Sequence, residues 1–137
     1  MMKIYDGENM VFGRIAAIVA KDLLKGYSVN LINCEKILIS GNKDEFVKKM
    51  QAKLKMGRGS SMKGPKYSRK EDLIVKRMIR GMLPPKDTGR GKEAYKRLRC
   101  YIGNGNLSEE ELKGVEKNKA KIPYRFFNVE KLVRALR

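Results

Sequence analysis

Lys3-Ile4-Tyr5-Asp6, then Met10-Val11-Phe12-Gly13-Arg14-Ile15-Ala16-Ala17-Ile18-Val19-Ala20-Lys21-Asp22-Leu23-Leu24-Lys25, then Val29-Asn30-Leu31-Ile32-Asn33: these three runs decide the fold. The outer two have the length and composition of strands. The middle one carries Ile15, Ile18, Val19 and Leu23 at helical spacing, with alanines that allow close packing. Only Arg14, Lys21, Asp22 and Lys25 are charged in it, so the helix is expected to be largely buried. Asp6-Gly7 predicts a turn, Asn9 a helix cap and Gly26 a left-handed C-terminal cap. A strand, a helix and a strand within roughly thirty residues make a βαβ unit with a right-handed crossover. The chain is therefore read as α/β.

Further along, Ile37-Leu38-Ile39-Ser40 is a third extended segment, closed by the turn Ser40-Gly41-Asn42-Lys43. A glycine turn between strand and helix can bind phosphate. This one matches neither GxGxxG nor the GxxxxGK[ST] loop, so it is read as an ordinary turn with Asn42 as cap. A helix follows from Lys43 to about Met56, with Phe46, Val47, Met50 and Leu54 as its apolar stripe and Lys48, Lys49, Lys53 and Lys55 mainly off it. Gly57 to Ser68, with three glycines, a proline and three serines, is a loop. It is expected to be mobile alone and ordered against phosphates, with Tyr67 free to stack on a base or sugar.

From Leu73 to Met82, Ile74, Val75, Met78, Ile79 and Met82 share one helical face, while Lys76, Arg77 and Arg80 occupy the other. Pro84 and Pro85 stop this helix. Gly89 and Gly91 are expected to open a tight basic turn, and Lys92 to Leu98 a second helix with Ala94, Tyr95 and Leu98 inward. Arg99 to Ile102 reads as a strand, Ser108 as the start of a short acidic helix, and Val115 to Pro123 as a polar linker. Asn128 is expected to cap a final amphipathic helix with Val129, Leu132, Val133 and Leu136 on one side, docking on the domain or on a neighbour.

Composition narrows the function. The 137 residues carry 32 Lys+Arg against 15 Asp+Glu, a net charge of +17, and are 42% hydrophobic. That length and apolar fraction suit one real core rather than a disordered basic chain. Residues 48–99 hold 18 basic and 4 acidic side chains, a net +14, so the charge is a block in mid-chain. Such a block is the electrostatic footprint of a polyanionic partner. No apolar run has the length of a membrane span, and the start lacks the apolar run of a signal peptide, so a cytoplasmic place is expected. Cys34 and Cys100 read as buried reduced thiols. With no histidine and no CxxC spacing, a zinc site is not expected.

At this point the residues carry a resemblance. Tyr5-Asp6-Gly7, Gly13-Arg14-Ile15-Ala16, Ile39-Ser40-Gly41-Asn42-Lys43, Arg80-Gly81-Met82-Leu83-Pro84, Gly89-Arg90-Gly91 and Leu98-Arg99-Cys100-Tyr101-Ile102-Gly103 fall in order over most of the chain. Together they resemble the ribosomal protein L-thirteen family of the large subunit, and the compact central loop and long tail look more like its archaeal and eukaryotic branch than its bacterial one. The resemblance implies a three-layer α/β/α fold with a four-stranded, mainly parallel sheet, to which a basic loop and a C-terminal helical tail are added. It implies residues 1–103 as an RNA-binding core domain and 104–137 as a C-terminal extension. It also implies a structural constituent of the large subunit that binds large-subunit ribosomal RNA, lies beside other large-subunit proteins and takes part in assembly. No cofactor, metal or small-molecule substrate is expected.

Within that reading the expected phosphate contacts are Arg58, Lys63, Lys66, Arg69 and Lys70 in the loop and its exit, Lys76, Arg77 and Arg80 on the helix, and Lys86, Arg90, Lys92 and Arg97 beyond the proline break. Two other classes fit the residues less well. An enzyme acting on nucleic acid or nucleotides lacks histidine, clustered carboxylates and an activated nucleophile. A DNA-binding protein lacks a helix-turn-helix or basic-zipper pattern.

Overall fold

Parallel pairing of the first two strands sets the centre of the molecule. The computed structural model describes residues 1–85, 87–115 and 121–137. In chain order its elements are β1 (Met2–Asp6), α1 (Phe12–Leu24), β2 (Ser28–Ile32), β3 (Leu38–Ser40), α2 (Lys43–Lys55), α3 (Glu71–Arg80), α4 (Gly89–Lys96), β4 (Leu98–Cys100), α5 (Glu109–Lys113), β5 (Phe126–Asn128) and α6 (Val129–Leu136). β1 and β2 are parallel, with Ile4 opposite Asn30 and Tyr5 opposite Leu31, and α1 connects them as the βαβ reading requires. β4 joins the other side of β2, also parallel, with Leu98 opposite Val29.

Partner residues in a parallel ladder share a face, and alternate residues change face. Tyr5, Val29, Leu31 and Leu98 therefore lie on one side, and all four belong to the main core. That core also takes Ile15, Val19 and Leu23 from α1, Ile74, Val75 and Ile79 from α3, and Leu132, Val133 and Leu136 from α6. The tail helix packs against α2 and α3. Ile4, Asn30 and Ile32 occupy the opposite face and are also buried.

The implied four-stranded sheet is not what the described residues form. β1-β2-β4 is a three-stranded sheet, and β3 pairs instead with β5, antiparallel, with Ile39 opposite Phe127. β3 meets the chain after β1 through an isolated bridge between Val11 and Leu38. The cause lies just beyond β2. Asn33 takes a left-handed conformation at φ 52° and a single 3-10 turn, Cys34–Lys36, redirects the chain. The Asn33 amide is held there by donating to the Asp6 carboxylate at 2.8 Å, in a buried position.

Other boundaries differ for local reasons. Asn9 takes φ 56° in the turn, and α1 starts after Val11, with no side-chain cap. Gly26 ends α1 at φ 102°, and Asn42 caps α2 by accepting from the Asp44 N–H at 3.1 Å, both as expected. α3 stops at Gly81, three residues before the prolines. Beyond that point helical spacing no longer applies, so Met82 turns out to solvent (44% exposed) and Leu83 enters the core (8%). Gly89 and Gly91 form no separate turn; they are the first residues of α4. Gly91 is buried so close to the carbonyl oxygens of Pro84 and Pro85 that a β-carbon would overlap them. Leu98 belongs to β4 rather than to the preceding helix, and Ile102 lies beyond the strand, exposed. Asn128 occupies the start of α6 without a side-chain cap bond. Part of the expected linker, 116–120, lies outside the described residues.

Candidate nucleic-acid interface

α3 positions the centre of the basic surface. Its Ile74, Val75 and Ile79 are buried, which turns Lys76, Arg77 and Arg80 toward the outside, each half-buried along its stem. Arg77 ties the loop to this helix. Its Nη1 donates to the Lys66 carbonyl at 2.7 Å, and its guanidinium lies 3.7 Å from the centre of the Tyr67 ring. Lys53 of α2 approaches the same ring at 5.9 Å. Tyr67, expected to be free, is therefore half-buried and held by an arginine. Lys76 sits 5.0 Å over the Tyr95 ring, which links α3 to α4.

These contacts frame a cavity of about 590 Å³ among α2, the end of the loop, α3 and α4. Phe46, Met50, Ile74 and Met78 give it an apolar lining, and Tyr67 and Tyr95 add aromatic rings. Lys53, Lys66, Arg77 and Arg80 supply its charges, and no carboxylate lines it among the described residues. So three of the expected contacts, Lys66, Arg77 and Arg80, meet at one place.

The remaining candidates are spread around it. Arg58 and Lys63 are exposed on the loop, whose ends close on each other where Gly64 lies against Met56 and Gly57. A short turn, Ser61 N–H to the Arg58 carbonyl at 3.0 Å, shapes its tip. Arg69 and Lys70 are exposed before α3, and Arg90 and Lys92 are exposed on the first turn of α4, which carries no acidic residue. Lys86 lies outside the described residues. Arg97 is turned inward, its Nη2 donating to the Leu23 carbonyl at the end of α1 at 2.9 Å.

Lys53 and Arg99 join the surface beyond the expected contacts, and Tyr95, expected to face inward, lines the cavity. Arg99 is exposed on β4 and lines a small cleft with Asp72 and Lys76. Its signal was available: with Leu98 buried, strand alternation sends Arg99 to the other face. Lys53 follows Met50 by three positions, which places the two on neighbouring parts of one helical surface.

The charges that line the cavity between α2 and α3 are all cationic. Among the described residues no three His, Cys, Asp or Glu gather into a metal-binding group, and no helix is long and apolar enough to cross a membrane. The two cysteines are free thiols; Cys34 is buried and Cys100 half-buried. A hydrogen bond with Cys100, together with burial, pushes the Cys34 thiol well above its ordinary range, so it stays protonated and unreactive.

The family model for ribosomal protein L13 matches residues 1–106, which include every element from β1 to β4. The chain belongs to that family. It is similar to the large ribosomal subunit protein uL13 of Methanopyrus kandleri, 49% identical over 107 residues that make up 78% of this chain and 65% of that protein. The match therefore spans just under two thirds of that relative's length. The protein of the same description from Methanosphaera stadtmanae is 42% identical over 118 residues, 85% of this chain and 80% of that protein. The one from Methanocaldococcus jannaschii is 39% identical over 113 residues, 80% of this chain and 82% of that protein. All three relatives are archaeal, in keeping with the resemblance to the archaeal and eukaryotic branch. The family's matched region contains the whole basic block, whereas α5, β5 and α6 lie beyond it.

Proposed function

We propose that the chain is a structural constituent of the large ribosomal subunit, in the cytoplasm, and that it binds large-subunit ribosomal RNA and supports assembly of the subunit. The name shared by its relatives supports the subunit, and the basic block supports the partner. The observation that carries the reading is the gathering of Lys53, Lys66, Arg77 and Arg80 from three segments at one carboxylate-free place. Fixed cations of this kind neutralise phosphates and release counterions.

On this reading Arg58, Lys63, Lys66, Arg69, Lys70, Lys76, Arg77, Arg80, Arg90 and Lys92 contact phosphate, Lys86 among them by sequence position, and Arg97 first serves the fold. Neighbouring large-subunit proteins complete the surroundings, with a structural rather than catalytic role for this chain. The three-layer stacking belongs to the same reading. On the sheet face away from the main core Ile4, Asn30 and Ile32 are buried while Arg99 is exposed, and Leu112 and Val115 share a cleft with Ile32.

Footprinting on deproteinised large-subunit RNA tests the proposal. Discrete protected sites, together with cosedimentation of the protein with large subunits from lysate, are expected. Uniform protection at all positions, or cosedimentation with small subunits alone, would reject it.

A further inference from the structure

We propose that the cavity between α2 and α3 holds one nucleotide extruded from an RNA helix, its base among the aromatic and thioether side chains and its phosphate on the surrounding cations. This rests on the RNA-binding reading above and adds to it a site for a single unstacked base.

The cavity combines two properties that seldom occur together. Its lining is apolar and aromatic, through Met50, Met78, Tyr67 and Tyr95, yet its charges are four cations with no carboxylate among the described residues. A duplex backbone needs cations but no apolar recess. An unstacked nucleotide needs both, because its base presents a π-face while its phosphate is anionic. At about 590 Å³ the cavity lies within the size range of small-ligand sites. The Tyr67 ring is already fixed by Arg77 at 3.7 Å, so no side-chain order has to be imposed on it at binding. Met50 and Met78 are polarisable and adapt to a flat ring of either size. The charged groups are donors throughout, which suits a ligand rich in acceptors; a peptide would bring N–H donors with no carboxylate to receive them.

The test uses the full chain and two RNAs: a perfect duplex, and the same duplex with one unpaired uridine. The unmodified protein is expected to bind the bulged RNA on the order of tenfold more tightly, the gain of one base stacked on aromatic groups. Met50→Trp, which fills the cavity and removes no cation, is expected to abolish that preference. With 4-thiouridine at the bulge, cross-links on the unmodified protein are expected in peptides carrying Tyr67 or Tyr95. Equal affinity for the two RNAs overturns the proposal, as do cross-links confined to other peptides. Displacement of the bulged RNA's advantage by an acidic aromatic peptide would assign the cavity to a protein neighbour and overturn it too. Binding of neither RNA overturns the RNA-binding reading itself, and the cavity assignment with it.

Discussion

Asp22 is a carboxylate buried on α1 between two donors. Tyr5 from β1 donates its hydroxyl at 2.5 Å and Lys3 its ammonium at 3.0 Å. Burial alone raises its pKa, but the Tyr5 and Lys3 hydrogen bonds and the Lys3 charge outweigh it, and the net shift is downward. A carboxylate with a depressed folded pKa contributes stability that is present above about pH 4 and lost as the pH falls through the folded value. Tyr5→Phe removes one donor. It is expected to cost about 1–3 kcal/mol at neutral pH and to move acid unfolding to higher pH. Chemical denaturation at pH 7 and an acid titration followed by circular dichroism check this; an unaltered acid transition would contradict it. A second contrast lies after α3. Leu83→Ala is expected to cost about 2–5 kcal/mol, because Leu83 is in the core. Met82→Ala, one residue earlier and exposed, is expected to stay within about 0.5 kcal/mol of the parent. Thermal melts of the pair decide it, and an early melt for Met82→Ala would mean that the helix continues past Gly81.

At the scale of elements, the loop from Gly57 to Ser68 has two parts. Its exit is anchored by Arg77 to Lys66 and Tyr67, whereas Arg58 and Lys63 stand exposed beyond the core. Trypsin is expected to cut the free protein first at Arg58 and Lys63 and later at Lys66, with all three protected by RNA. Arg77→Ala is expected to speed cleavage at Lys66. Equal rates at the three sites in the parent protein would show that the anchor has no effect in solution. The same region shows where sequence is legible. Regular hydrophobic spacing exposed α1, α2, α3 and α6, because a buried helical stripe repeats over several turns and leaves a pattern. Lys76, Arg77 and Arg80 could be placed for the same reason. Met82 could not, since a glycine rather than the visible prolines ended the helix. β5 is three residues long, too short for alternation to register, and pairs with β3 through contacts distant in sequence. The anchoring of Tyr67 is not legible because its partner Arg77 lies ten positions away across a loop, nor is the place of Gly91 in α4, because its need for glycine comes from the Pro84 and Pro85 carbonyls.

For the whole molecule, folding turns a linear charge block into a surface. Core residues of α3 and α4 are buried together, so the cations between them are pressed outward around one cavity. Electrostatic attraction of this kind acts through phosphate neutralisation, and its strength is set by ion release. The most direct test is the salt dependence of binding to large-subunit RNA. If about eight phosphates are contacted, affinity is expected to fall on the order of a thousandfold or more between about 50 and 200 mM salt. Arg80→Ala, which removes one of these cations from outside the core, is expected to lower the slope of log affinity against log salt by about one. A response that stays flat across that range, in the parent protein and in the variant alike, would contradict the account.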